Sequence, residues 1–116
     1  MVKYQLMGKP VRVDTLQEAL DLLHFCLAGG GEVIPGRHFR DELAKEDLAF
    51  EDAWIVLRTG HIYRPSEEDV KTGESKFCVE GYEPGGKWLA IVFCFKTITR
   101  AFLITIFSVE EKRRSV

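Results

Sequence analysis

Nothing in the 116-residue chain approaches the run of roughly 20 apolar residues that a bilayer-spanning helix needs, so no membrane span is expected. Paired cysteines are missing too. Cys26, Cys78 and Cys94 are odd in number and widely spaced, which leaves neither a C-x-x-C pair nor a disulfide framework. An excess of positive charge is also absent: 16 Lys and Arg stand against 18 Asp and Glu, a formal charge of −2. That balance argues against strong nonspecific nucleic-acid affinity, which rests on a surplus of Lys and Arg. The sequence has no G-x-x-x-x-G-K-[ST], H-E-x-x-H or G-x-S-x-G motif, and no paired-cysteine zinc pattern. Gly29-Gly30-Gly31 follows a predicted helix rather than a strand, so it does not cradle phosphate. His24 and Cys26 stand two apart on that helix and point to different sides, which is poor ligand geometry. Neither a metal nor a cofactor is expected. Met1 to Pro10 lacks the basic head, apolar stretch and cleavage site of a signal peptide. Each cysteine lies in an apolar stretch, as a small buried hydrophobe or a reactive thiol, and a reducing cytoplasm fits best.

What is present suffices for a core. The composition is 46% hydrophobic and 29% charged, without repeat, low-complexity tract or linker, so a single domain over 1–116 is expected. Asp14 and Thr15 precede Leu16, Ala19, Leu20, Leu23 and Leu27 at helical spacing, and Glu18 completes the spacing of a capping box. The three glycines end that helix. Glu32 to Gly36 is extended because Pro35 disfavours helix at Ile34, and a short charged helix covers His38 to Lys45. Phe50, Ala53, Trp54 and Leu57 share a helical face, with Glu51 and Asp52 in the favourable first turn and Gly60 as the stop. His61-Ile62-Tyr63 starts a strand. Arg64 to Ser75 is expected to be a loop, with one helical turn at Glu67 to Val70. Strands follow at Lys76 to Tyr82, Lys87 to Phe95 and Ala101 to Val109, joined by a turn at Glu83-Pro84-Gly85-Gly86 and a polar hairpin at Lys96 to Arg100. Glu110 to Val116 is a charged, frayed tail.

Helices first and strands later predict an α+β domain, with N-terminal helices packed on a three- to four-stranded antiparallel sheet. Lys87 to Phe95 belongs at its centre, because Leu89, Ile91, Phe93 and Phe95 face one side while Trp88, Ala90, Val92 and Cys94 face the other. Helices cover one side, and the long loop or a partner protein covers the second.

The polar residues at element boundaries are His38, Arg40, Arg58, His61, Tyr63, Lys87, Lys96 and Arg100. His38 opens a helix, where an imidazole either transfers protons near neutral pH or bonds locally to the backbone. Arg58 sits near a helix C-terminus, which the helix dipole by itself favours. Lys96 and Arg100 flank the last hairpin, a usual place for solvated charge.

The stretch from Arg37-His38-Phe39-Arg40 through Leu48-Ala49-Phe50-Glu51-Asp52-Ala53 to Leu57-Arg58-Thr59-Gly60-His61-Ile62-Tyr63 resembles the start of the DUF4258 family. Its pattern is a His opening a helix, an acidic pair before an apolar helix, and a Gly-x-Ile before an extended strand. Cys78 to Tyr82, Gly86 to Val92 and Phe102 to Phe107 continue the resemblance in register. It covers 37–109 and leaves 1–36 as a helical addition. The resemblance implies a RelE-like fold, akin to toxins of bacterial toxin–antitoxin pairs that cleave messenger RNA on the ribosome. Carried over, the reaction is metal-free attack of a ribose 2′-hydroxyl on its own phosphodiester, which needs a base, an acid and cations. His38 would then transfer the proton, Arg58 with Arg100 or Lys96 would stabilise phosphate, and Tyr63 would stack a base. Lys87 completes the set of substrate-binding candidates. The implied partners are RNA or the ribosome and an antitoxin-like protein. Where the family often carries basic residues, one and two turns after the leading His, this chain carries Glu42 and Glu46.

The rival reading is a noncatalytic protein-binding module of the same fold, and a homo-oligomer joined through sheet edges is a third. A nuclease requires His38 and the basic residues to converge in one concave basic patch. A binding module requires an exposed apolar patch with residues such as Trp54, Trp88 or Phe102.

Overall fold

The computed structural model of the chain describes residues 11–110. The expectation of no signal peptide in Met1 to Pro10, and that of a frayed tail beyond Glu110, fall outside the described residues. Thr15 caps the first helix, α1 (Leu16–Phe25), by accepting the Glu18 N–H on its hydroxyl at 3.0 Å. The helix continues as one π-type turn over Cys26–Gly30 and stops in the glycine run, burying Ala19, Leu20, Leu23 and Cys26. Two further helices follow β1 (Glu32–Pro35): α2 (Arg37–Lys45) buries Phe39 and Leu43, and α3 (Phe50–Thr59) buries Ala53, Val56 and Leu57. The Asp52 carboxylate accepts the Ala49 N–H at 2.9 Å and so satisfies a donor at the start of α3.

The remaining strands are β2 (His61–Ile62), β3 (Glu67–Glu68), β4 (Ser75–Tyr82), β5 (Trp88–Thr97) and β6 (Arg100–Ser108). They form a six-stranded sheet in the order β1-β6-β5-β4-β2, with β3 also pairing to β4. The domain is α+β as expected, but its sheet is larger than three or four strands and is mixed rather than antiparallel. Two short segments account for the difference. Glu32–Pro35 does more than run extended: it pairs in parallel with Arg100 to Leu103. Gly31 permits this, because a side chain there would collide with the Thr99 carbonyl, which the Glu32 N–H reaches at 2.7 Å. The expected helical turn at Glu67 to Val70 is instead a strand and a turn. Glu67 and Glu68 pair with Lys76 and Ser75, and the Asp69 carboxylate accepts the N–H groups of Lys71 and Thr72. A side-chain bond of this kind competes with helix at Asp residues.

The helices pack on one face of the sheet, called the inner face below. There Leu89, Ile91, Phe93 and Phe95 of β5 join Phe77, Val79, Ala101, Leu103 and Ile106 in a single core with the buried helix residues. Phe77, Phe93 and Phe95 form a mutual aromatic triangle with centroids 5.6 to 6.0 Å apart. At the end of α3, Gly60 lies directly on β4. A Cβ at Gly60 would stand 2.5 Å from the Glu80 carbonyl oxygen and 2.6 Å from that of Val56, both backbone atoms that cannot turn aside. Gly60→Ala is therefore expected to cost about 1–3 kcal/mol, the usual penalty for overpacking. Urea denaturation checks it, and an unchanged midpoint would contradict the close approach.

Candidate functional site

The second, outer face of the sheet follows from the register. Glu80 lies opposite Ala90, Cys78 opposite Val92 and Tyr82 opposite Trp88. Across β5, Phe107 lies opposite Ala90 and Phe102 opposite Cys94, while Ile34 of β1 pairs with Phe102. The face is thus mostly apolar. Tyr82 and Phe107 are 53% and 42% exposed, Ile34, Val92 and Phe102 are half-buried, and Trp88, Ala90 and Cys94 are buried.

One fully buried charge interrupts this apolar face. The Glu80 carboxylate accepts the indole N–H of Trp88 at 2.9 Å on Oε1 and faces Arg64 Nε at 3.5 Å on Oε2. Burial of a carboxylate is tolerable only with such partners. Tyr63 stacks on Trp88 with centroids 6.3 Å apart, and Tyr82 meets the same indole edge-on at 5.0 Å. His61 is the cross-strand neighbour of Glu80, and its ring lies 5.9 Å from that of Tyr63. One end of the outer face thus gathers a carboxylate, a guanidinium, an imidazole and three aromatic rings.

The residues singled out from the sequence do not form one group. His38 is exposed in the first turn of α2, which starts beside β6 where the Gly36 N–H donates to the Leu103 carbonyl. Arg58 is exposed in the last turn of α3 and lines an open cleft of about 230 Å³ with His24, Leu27 and Ala28. His24 itself donates from Nε2 to the Leu57 carbonyl at 3.1 Å. Arg100 pairs with Glu32 at 3.2 Å. Lys96 pairs with Glu74 at 2.8 Å, lies 5.3 Å from the centroid of the Phe102 ring, and is held above the usual lysine range chiefly by that carboxylate. Lys87 donates to the Glu46 carbonyl at 3.0 Å, with the Glu46 carboxylate 3.9 Å away. Lys87 and Lys96 are nine positions apart at opposite ends of β5, a separation of about 30 Å at strand rise. Of the residues singled out, Tyr63 and His61 join the Glu80 group.

Glu80 and Arg64 were not distinguished by sequence pattern, and Trp88 was named only for an exposed apolar patch. The available signal is that Glu80 is the one acidic residue inside the Ser75–Tyr82 strand, where a carboxylate next to apolar neighbours needs a partner. Its partner register is set by long-range pairing and has no local signature. Of the aromatic residues named for an interaction patch, Trp54 is half-buried against the core and Trp88 is 7% exposed, whereas Phe102 does lie on the outer face.

The three thiols are pushed up from their ordinary range by burial. For Cys78 the Glu80 carboxylate adds to the effect, Arg64 opposes it, and the result is about 11. Among the described residues, no three His, Cys, Asp or Glu side chains gather as a metal cluster, and no helix is long and apolar enough to cross a membrane. No family model matches the chain, and neither the curated proteins nor the solved structures contain a match to it.

The Trp88 bond to Glu80 has a measurable coupling. In a double-mutant cycle of Trp88→Phe and Glu80→Leu, urea unfolding is expected to give a coupling of about 1–3 kcal/mol, and additivity would contradict the bond. The thiols give a pH test. Because the folded Cys78 pKa lies above its unfolded value, the contribution of the neutral thiol is fully present below about 8.5 and is lost as pH rises through about 11. Iodoacetamide at pH 8 should leave Cys78 largely unmodified in the folded protein and label it rapidly in urea, as read by mass spectrometry. Equal rates would contradict the shift.

Proposed function

We propose that this chain is a noncatalytic docking domain that receives a protein partner on the outer face of its sheet. The observation that carries the reading is the pair of exposed rings, Tyr82 and Phe107, at either side of β5, whose outer Trp88, Ala90 and Cys94 are already buried. Large exposed apolar groups grouped on one face, with polar residues at its rim, are typical of interaction sites. Lys96, Arg100 and Lys87 are held by carboxylates, which favours docking over a basic RNA-binding patch. Resemblance to DUF4258, and with it a RelE-like fold, belongs to the same proposal. Its support is that His38 lies in the first turn of α2, Glu51 and Asp52 in the first turn of α3, and Gly60-His61-Ile62 at the start of β2.

A ribonuclease is the second reading, and one observation favours it. His61, Arg64 and Tyr63 supply a proton-transfer group, a cation and a stacking ring within one end of a sheet, with the buried Glu80 beside them. The chemistry then rests on this group rather than on His38, Arg58 and Arg100, which are dispersed over three elements.

A photoreactive phenylalanine analogue at position 107 separates the two. Docking predicts a covalent adduct in cells with one protein species. Once purified, that protein should bind the wild-type chain saturably and bind the Phe107→Ser variant about tenfold or more weakly. An adduct with RNA, or total-RNA cleavage on induction that His61→Ala and Arg64→Ala abolish, would replace docking by the ribonuclease reading.

A further inference from the structure

The cleft between the ends of α1 and α3 lies on the helical side of the sheet, away from the outer face. Among the described residues its walls are His24, Leu27 and Ala28, from the end of α1 and the π-type turn that continues it, and Arg58 from the last turn of α3. They surround about 230 Å³ open to solvent. A π-type turn on a helix recurs at functional sites. Here it leaves Ala28 exposed and Leu27 half-buried, an apolar wall beside a guanidinium.

The fold does not consume Arg58. Carbonyls in the last turn of α3 already have other donors: Thr59 Oγ1 donates to Ile55 at 2.7 Å, the Gly60 N–H to Val56 at 2.8 Å, and His24 Nε2 to Leu57 at 3.1 Å. Among the described residues Arg58 has no carboxylate partner, in contrast to Lys45, Lys76, Lys87, Lys96 and Arg100. Arg12, Arg37, Arg40 and Lys71 are equally free, and what sets Arg58 apart is the cleft beside it. Asp21, one turn before His24, is bonded to the Gln17 amide at 2.8 Å rather than to Arg58, and Glu51 and Asp52 stand in the first turn of α3, at its other end.

We infer that this cleft binds a small monocarboxylic acid with a compact apolar body, a site distinct from the docking face. Its carboxylate meets the Arg58 guanidinium, whose planar fork of donors matches carboxylate geometry, and its body lies against Leu27 and Ala28. Arg58 is the one permanently charged side chain of the described lining, so it answers one negative charge. A phosphate ester carries nearly two and is matched less well. The volume is below the roughly 300–1,000 Å³ of sites for drug-sized ligands, which restricts the body to about one ring. An acidic side chain of a partner protein, with at most two methylenes, would leave the apolar wall uncovered.

The test titrates benzoate, acetate, benzamide and phenyl phosphate into the isotope-labelled full chain and follows the amide signals by NMR. Benzoate is expected to bind saturably and to shift the signals of Leu27, Ala28 and Arg58. Acetate, which lacks the body, and benzamide, which lacks the charge, should each bind about tenfold or more weakly, and phenyl phosphate no more tightly than benzoate. Arg58→Gln should weaken benzoate by about tenfold or more. Ala28→Glu, which puts a carboxylate on the same lining as Arg58, should abolish saturable binding. Both positions are exposed, and the same spectra report that each variant is folded. Phe107→Ser, on the outer face, should leave benzoate binding unchanged. Tighter binding of phenyl phosphate, acetate or benzamide equal to benzoate, absence of saturable benzoate binding, or binding indifferent to Arg58→Gln would each overturn the inference. None of these outcomes bears on docking, which is read at position 107.

Discussion

A strand buried on both sides has to be covered twice, and β5 imposes that condition on everything around it. Its inner residues Leu89, Ile91, Phe93 and Phe95 are met by three helices, while Trp88, Ala90 and Cys94 are equally withdrawn from water on the other face. Each large side chain buried on folding contributes roughly 1.5–3 kcal/mol, so a central strand of this composition anchors the fold energetically. Flanking strands then sort by how they meet it. β4 and β6 pair along most of its length and keep inner positions apolar, whereas their outer positions admit Lys76, Glu80 and Arg100.

The buried carboxylate at Glu80 is the exception to that sorting. A Leu in its place would bury more easily, and ion pairs in low dielectric are weak contributors to stability. What the carboxylate does provide is direction. It orients the Trp88 indole, holds the loop after β2 through Arg64, and stands next to His61 across the β2–β4 pair. A local breach of the apolar rule at a position with three aromatic neighbours is where function is expected to concentrate. Two of the dispersed candidates, by contrast, occupy ordinary structural roles: Arg100 and Lys87 are ion-pair partners.

Much of the fold was legible because the relevant forces are local. Thr15 and Glu18 mark the start of α1, Asp52 marks that of α3, and continuous apolar alternation marks β5 and β6 to within a residue or two. The helix of His38 to Lys45 begins one residue earlier, at Arg37, because Gly36 serves as its N-cap. What escaped was decided at a distance. A four-residue segment ending in Pro35 has no intrinsic partner, and its parallel alignment depends on Gly31 resting against Thr99 some 68 positions away. Likewise, the two carboxylates of β3 have low strand propensity and pair only because β4 is already in place. The Glu80 group was half legible: His61 and Tyr63 stood out at an element boundary, but which acid they would meet depended on register.

Pairing at the outermost strands has one more effect. β1 offers four residues, the last of which is a proline without an N–H, and β2 offers only two. Beyond β1, the flank of β6 is taken up by α2, and β3 presents two negative charges. Long unpaired backbone is the template on which sheets recruit further copies, and short, charged or proline-ended strands remove it. A chain with so apolar a central strand thereby gains resistance to end-on polymerisation at high concentration, and assembly is directed toward side-chain surfaces instead of open hydrogen-bond ladders.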